Sequence, residues 1–214
     1  MVSPPPNDQV VEDFWKWFSS IAPELEKDFD NEALLSELDE RVATMGDWGW
    51  EVGPGVTARS ALVISPDGVR ELLPVARSIV SRAPHVVGWD FLCARPAREE
   101  CCIFAIKSSN GADLSIDARS WRYVLFKYPD DIVELLLEQG SIACELEDDQ
   151  YTAAVVLLDG LLGEEARLLS ISHVEVTVSL PTEHAMHARP IRGLPEHLAI
   201  ACKSLDRSVR PDRG

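Results

Sequence analysis

GDWGWEVGPG, residues 46–55, holds four glycines and two tryptophans in ten positions. Such a stretch is either a loop that cradles phosphate or the seam where a helix hands over to a strand. A phosphate loop needs backbone N–H groups converging on the anion, with Gly-Lys-Ser or Gly-Lys-Thr opening the next helix. Here Pro54 removes one donor, Glu51 would repel the anion, and both the Lys-Ser/Thr pair and the G-x-G-x-x-G spacing are missing. Gly46 instead stands where a helix C-terminus wants a residue at positive φ. The stretch reads as a helix stop, an aromatic strand and a turn, and no cofactor is expected from it.

Upstream, NEALLSELDERVATMG (31–46) is the helix that this stop ends. Leu34, Leu35, Leu38, Val42 and Met45 recur at helical spacing, with Asp30 or Asn31 as the cap. Before it, QVVEDFWKWFSSIAPEL (9–25) gathers Val10, Val11, Phe14, Trp15, Trp17, Phe18, Ile21 and Leu25 into an arc of about 160°. Trp15 and Trp17 mark the edges of that arc. So aromatic a face is expected to be buried, on the protein's own core or in a partner groove. A membrane-surface helix would want several cations on its polar face, and Lys16 stands alone there. Residues 1–8 read as a disordered, Pro-rich lead-in.

Downstream, WGWEVGP (48–54) and ARSALVIS (58–65) form a hairpin, and Ser65-Pro66-Asp67-Gly68 is turn chemistry. Pro74 belongs in the first turn of a third helix, from Leu72 or Leu73 to about Ala83, because inside a helix it would cost ~3 kcal/mol. Strands follow at 88–96, 101–108 and 112–117. RYVLFKY-PDD-IVELLLEQ (122–139) reads as two strands around a polar turn, with a helix as the competing reading of its second half. DDQYTAAVVLLDGLLGEE (148–165) is a buried fourth helix, and LLSISHVEVTVSLP (168–181) closes the fold as a strand. The fold class is α+β: a mostly antiparallel sheet of about six to eight strands with two to four helices packed on it. It forms a single domain over 9–180, followed by a loosely held basic tail, 181–214, with one short helix at 195–206.

The 214 residues carry a net charge of −16, from 20 basic and 36 acidic residues. Such a surface repels nucleic-acid backbones and anionic lipid, so neither nucleic acid nor membrane is expected as a partner. The charge is uneven: residues 181–214 carry six bases against four acids, and residues 1–180 carry 14 against 32. Five cysteines (Cys93, Cys101, Cys102, Cys144, Cys202) without regular spacing argue against a disulfide framework and against zinc-type C-x-x-C chemistry. The N-terminus lacks the basic and apolar regions of a signal peptide, and no apolar run reaches the ~18 residues of a membrane span. A cytoplasmic, reduced protein is expected.

Few constellations carry chemistry. EHAMH (183–187) places Glu183, His184 and His187 together, but in neither the H-E-x-x-H nor the H-x-x-E-H order, so no metal site is expected. Cys101 and Cys102 fall in a predicted strand beside two carboxylates, which points to structural thiols facing opposite ways. Asp159, inside an apolar helix, is placed on its one solvent-facing strip. Glu145, Glu147, Asp148 and Asp149 form an acidic cluster without the alternation and glycine of an EF-hand, and read as a solvated helix cap.

FWKWF (14–18), WEVGPG (50–55), the run from Ala61 to Phe91 with Arg95-Pro96, and LLDGLLGE (157–164) together resemble an uncharacterised family of bacterial cytosolic α+β proteins. The resemblance covers roughly residues 10–180. It implies a compact α+β fold and carries over no functional residue.

The leading expectation is a non-enzymatic protein-interaction domain with an acidic face for a basic partner, in the manner of an immunity or inhibitor protein. Trp15, Trp17, Glu145, Glu147, Asp148 and Asp149 are its candidate contact residues. One alternative is a metal-dependent hydrolase assembled from scattered residues such as Glu183, His184 and His187. Another is a structural subunit that docks through the N-terminal aromatic helix.

Overall fold

The structure, a computed structural model, describes residues 5–129, 132–140 and 146–206. The described residues group into two compact units that meet in sequence between Pro96 and Ala97.

The first unit opens with α1 (Asp8–Leu25). Its N-cap Asn7 accepts from the Gln9 amide, and Val11, Phe14, Trp15, Phe18, Ala22 and Leu25 are buried along one face. α2 (Glu32–Met45) is capped by Asn31, whose side chain accepts from the Leu34 amide, and stops at Gly46 with φ 136°. Both boundaries follow the sequence reading. β1 (Gly49–Pro54) and β2 (Ser60–Ser65) pair antiparallel, with Gly49 opposite Ser65 and Pro54 opposite Ser60. A 3-10 turn and α3 (Leu73–Val80, with Pro74 in its first turn) then carry the chain to β3 (Trp89–Leu92), which runs parallel to β2. The sheet order is β1-β2-β3, and all six residues of the central strand β2 are buried. Leu62, Ile64 and Trp89 close the core against α1, α2 and α3.

The second unit begins with a separate hairpin, β4 (Ile103–Lys107) and β5 (Asp113–Asp117). β6 (Arg122–Lys127) and β7 (Val133–Glu138) form the next hairpin, which settles the second half of that segment as a strand. α4 (Glu147–Leu162) and α5 (Glu164–Ser170) lead to β8 (His173–Thr177), parallel to β7. After α6 (Thr182–Ala185), the two-residue β9 (Arg189–Pro190) pairs with β6, giving the order β8-β7-β6-β9. α7 (Leu194–Asp206) ends the described chain. Its Leu194 and Leu198, with Ile191 just before it, lie in the core beside Trp121, Tyr123, Leu135 and Leu157. The segment expected to be loosely held thus contributes three buried apolar side chains.

The α+β class stands, but the single sheet does not. The described residues form three sheets of three, two and four strands, with seven α-helices. The cause lies in two crossovers. β2 to β3 and β7 to β8 are parallel steps, and a parallel step needs a helical connection rather than a tight turn. Each unit therefore wraps a small mixed sheet with its own helices, and both units use the same hairpin-then-crossover wiring.

Candidate functional site

The loop that follows the glycine-rich stretch binds an anion, and the anion is the protein's own. The amides of Val56, Thr57 and Ala58 donate to one oxygen of Asp90 at 3.0, 2.7 and 2.8 Å, and the Thr57 hydroxyl donates to the other at 2.7 Å. Gly55 has to be glycine, because a Cβ there would stand 2.6 Å from the Ala58 carbonyl oxygen. These donors, the Ala58 amide foremost, hold the Asp90 carboxyl at about 2, below its ordinary 3.8. A folded-state pKa below the unfolded one contributes stability that is present above about 3.8 and lost as pH falls through about 2. Asp90→Asn should therefore be less stable than wild type at neutral pH, with the gap closing between those two values. Urea unfolding over that range checks it, and a gap independent of pH would contradict it.

The tryptophans divide. Trp15 is 2 % exposed and its indole N–H donates to the Ile79 carbonyl at 2.9 Å, so a docking role does not fall to it. Trp17 is half-buried beneath the Arg41 guanidinium, 4.5 Å above its ring.

The histidine cluster is not assembled. His184 stands edge-on to Phe126, with Glu183 3.6 Å away, while His187 is exposed. Among the described residues no three His, Cys, Asp or Glu side chains are grouped to hold a metal ion.

The acidic cluster at the start of α4 splits as well. Glu145 lies outside the described residues. Glu147 and Asp148 are exposed, whereas Asp149 turns inward, takes a hydrogen bond from the Ser108 hydroxyl and accepts from the Ser109 amide at 2.9 Å. Those donors, the Ser108 hydroxyl first, hold its carboxyl below the usual range. Asp149 ties the β4–β5 loop to the helix instead of capping it in solvent. Asp159 also corrects its expected place. It is buried and bonded to the equally buried Arg167 one turn into the next helix.

Two pockets of the second unit gather polar groups. One, of about 310 Å³, is lined by Arg189, Glu196, His197 and their neighbours, with the His197 Nδ1 3.0 Å from the Tyr123 hydroxyl. Burial, then Arg189, pushes the His197 pKa down, and burial pushes the Tyr123 phenol up. Tyr123 is wholly buried, so the pair acts as a tie between β6 and α7 rather than as a reacting dyad. The other pocket, of about 620 Å³, brings Cys101 and Cys102 together with Arg119 and Arg192. Neither pairing was visible in the sequence, since the partners lie 17 to 91 positions apart.

The remaining feature is a charged surface. Residues 8–47, the α1–α2 hairpin, carry 12 acids against three bases, while the rest of the first unit carries four against five. Every second residue from Glu24 to Glu32 is acidic. Glu26 is paired with Arg59 at 2.8 Å, but Glu24, Asp28, Asp30, Glu32 and Glu40 all present their side chains to solvent. The apolar face of the same hairpin is taken up by the unit's own core.

The chain matches no family model, no curated protein and no solved structure. No helix among the described residues is long and apolar enough to cross a membrane.

Proposed function

We propose that this protein is a non-enzymatic protein-interaction domain whose recognition surface is the acidic outer side of the α1–α2 hairpin. Its partner is a basic protein, and an immunity or inhibitor protein is the concrete form of this reading. One observation carries it: a net −9 is concentrated in the 40 residues of one rigid helical hairpin whose other face is already buried. Fixed like charges on a stiff element steer a cationic partner, raising association rates by roughly 10 to 10³ at low ionic strength. The tip of the hairpin, from Glu24 to Glu32, is the anchor of the contact.

The test is capture from lysate of the source organism at low and at high salt. The reading expects one abundant basic protein retained at low salt and released at high salt. A column that retains no basic protein at low salt, or one that holds its partner unchanged at high salt, would contradict it.

A further inference from the structure

We propose that Cys101 and Cys102 form a peroxide-reactive dithiol site, in which Cys102 is the attacking thiol and Cys101 the resolving one. Both are reduced thiols, and they line the same open pocket of about 620 Å³ rather than opposite faces of a strand. The reason is local: β4 starts only at Ile103, so the strand alternation does not reach the pair. The two thiols are neighbours in the chain at the wall of one pocket.

The two positions are not equivalent. Cys101 is the more buried and is seated against α4, where Gly160 leaves room for it; a Cβ at 160 would stand 2.6 Å from the Cys101 Cβ. The main chain on either side is pinned, by the Arg98 amide to the Gly160 carbonyl at 2.7 Å and by the Ala118 amide to the Cys102 carbonyl at 2.8 Å. Cys102 is half-exposed and lines the pocket together with Arg119. Arg119 and Arg192 bring cations to the pocket; Glu99, Glu100 and the Asp117 that grips Arg119 bring carboxylates. Burial pushes the Cys101 thiol up, and Cys102 is the more accessible of the two, so Cys102 is the thiol that meets the oxidant first.

The ligand class is a small hydroperoxide, ROOH. The Cys102 sulfur attacks the distal oxygen, the O–O bond breaks, and the leaving alkoxide takes a proton as ROH. Cys102 is thereby oxidised by two electrons to the sulfenic acid. The Cys101 sulfur then gives up its proton and attacks the Cys102 sulfur. The S–O bond breaks, hydroxide leaves and joins that proton as water, and an S–S bond closes. Overall, two thiols and ROOH give one disulfide, ROH and water. Adjacent Cα atoms are only about 3.8 Å apart, below the ~4.4 Å at which ordinary disulfides begin, so the product is strained and readily reduced again. The site is thus a reversible sensor of oxidant.

The test uses the full chain with Cys93, Cys144 and Cys202 changed to serine, treated with hydrogen peroxide and followed by thiol titration and peptide mass analysis. Two thiols should vanish per peroxide, the peptide holding both cysteines should lose two hydrogens, and a dithiol reductant should restore it. In Cys101→Ser, Cys102 should be trapped by a sulfenic-acid reagent. In Cys102→Ser, Cys101 should react at least about tenfold more slowly, as befits a buried, protonated thiol. Arg119→Gln, which keeps both cysteines, should slow Cys102 oxidation, whereas Arg122→Gln on the next strand should not. Equal rates for the two single variants, or oxidation running to sulfinic acid without a disulfide, would overturn the proposal.

Gly160 yields a related expectation about stability. Alanine normally favours a helix interior over glycine. Here the collision with Cys101 should reverse the sign and move the urea midpoint below that of wild type. Urea unfolding of Gly160→Ala checks it, and a stabilised variant would show that the seat of Cys101 is looser than described.

Discussion

Arg167→Met should lower folding stability by about 3–5 kcal/mol, the loss expected when one member of a buried ion pair is removed. The guanidinium donates to both carboxylate oxygens of Asp159, and both side chains are less than a tenth exposed. Methionine keeps the length and the apolar stem of arginine but leaves a carboxylate in the core without this cation. Asp159 must then be protonated or draw water inward, and either course favours the unfolded chain. The double variant Asp159→Asn with Arg167→Met should recover much of the loss, because the charge and its partner leave together. Urea unfolding of the two singles and the double gives the coupling directly. A single variant within about 0.5 kcal/mol of wild type would match an exposed pair and contradict the buried one.

Trp15→Ala is the second large effect, again about 3–5 kcal/mol, from the cavity left by a fully buried aromatic side chain. Trp15 packs edge-on to Phe14 and Phe91 at 4.9 Å, so its loss opens the centre of the first unit. Trp15→Phe should cost less than alanine, with about 1 kcal/mol of its loss coming from the Ile79 carbonyl that loses its indole donor. Trp17→Ala, at the half-buried rim, should cost about 1 kcal/mol. If Trp15→Ala unfolded no more easily than Trp17→Ala, the aromatic face would be available to a partner and the docking-subunit reading would revive.

What the sequence made legible was local. Asn31 and Gly46 bounded α2, Pro74 placed the start of α3, and the apolar arc of α1 named five of its six buried residues, with Val10, Trp17 and Ile21 only partly buried, because caps, prolines and helical periodicity act within a few positions. Pairing was not legible. β2 is buried along its whole length, so it shows no alternation, and nothing in SALVIS says that its second neighbour is Trp89–Leu92, reached through a helix. The same held for side chains that meet across long separations. Asp90 reaches a loop more than 30 residues earlier, Asp149 reaches Ser108, and Arg119 and Arg192 line one pocket with Cys102. Asp159 was misplaced because a helix with apolar residues on nearly every side gives no phase to tell its one polar strip from a buried ion pair. The acidity of the α1–α2 hairpin, by contrast, was in plain view in ELEKDFDNE. It gained meaning only once both helices had buried their other faces.

The central claim, recognition of a basic partner through the α1–α2 hairpin, is tested most directly by association kinetics across ionic strength. The captured partner is compared against wild type, against Glu24→Lys, Asp30→Lys, Glu32→Lys and Glu40→Lys combined, and against Glu147→Lys with Asp148→Lys. Wild type should associate fastest at low salt and slow steeply as salt rises. The hairpin variant should lose at least about tenfold in rate and most of its salt dependence, while the α4 variant stays close to wild type. A hairpin variant that binds as fast as wild type, or an α4 variant that carries the whole loss, would contradict the assignment.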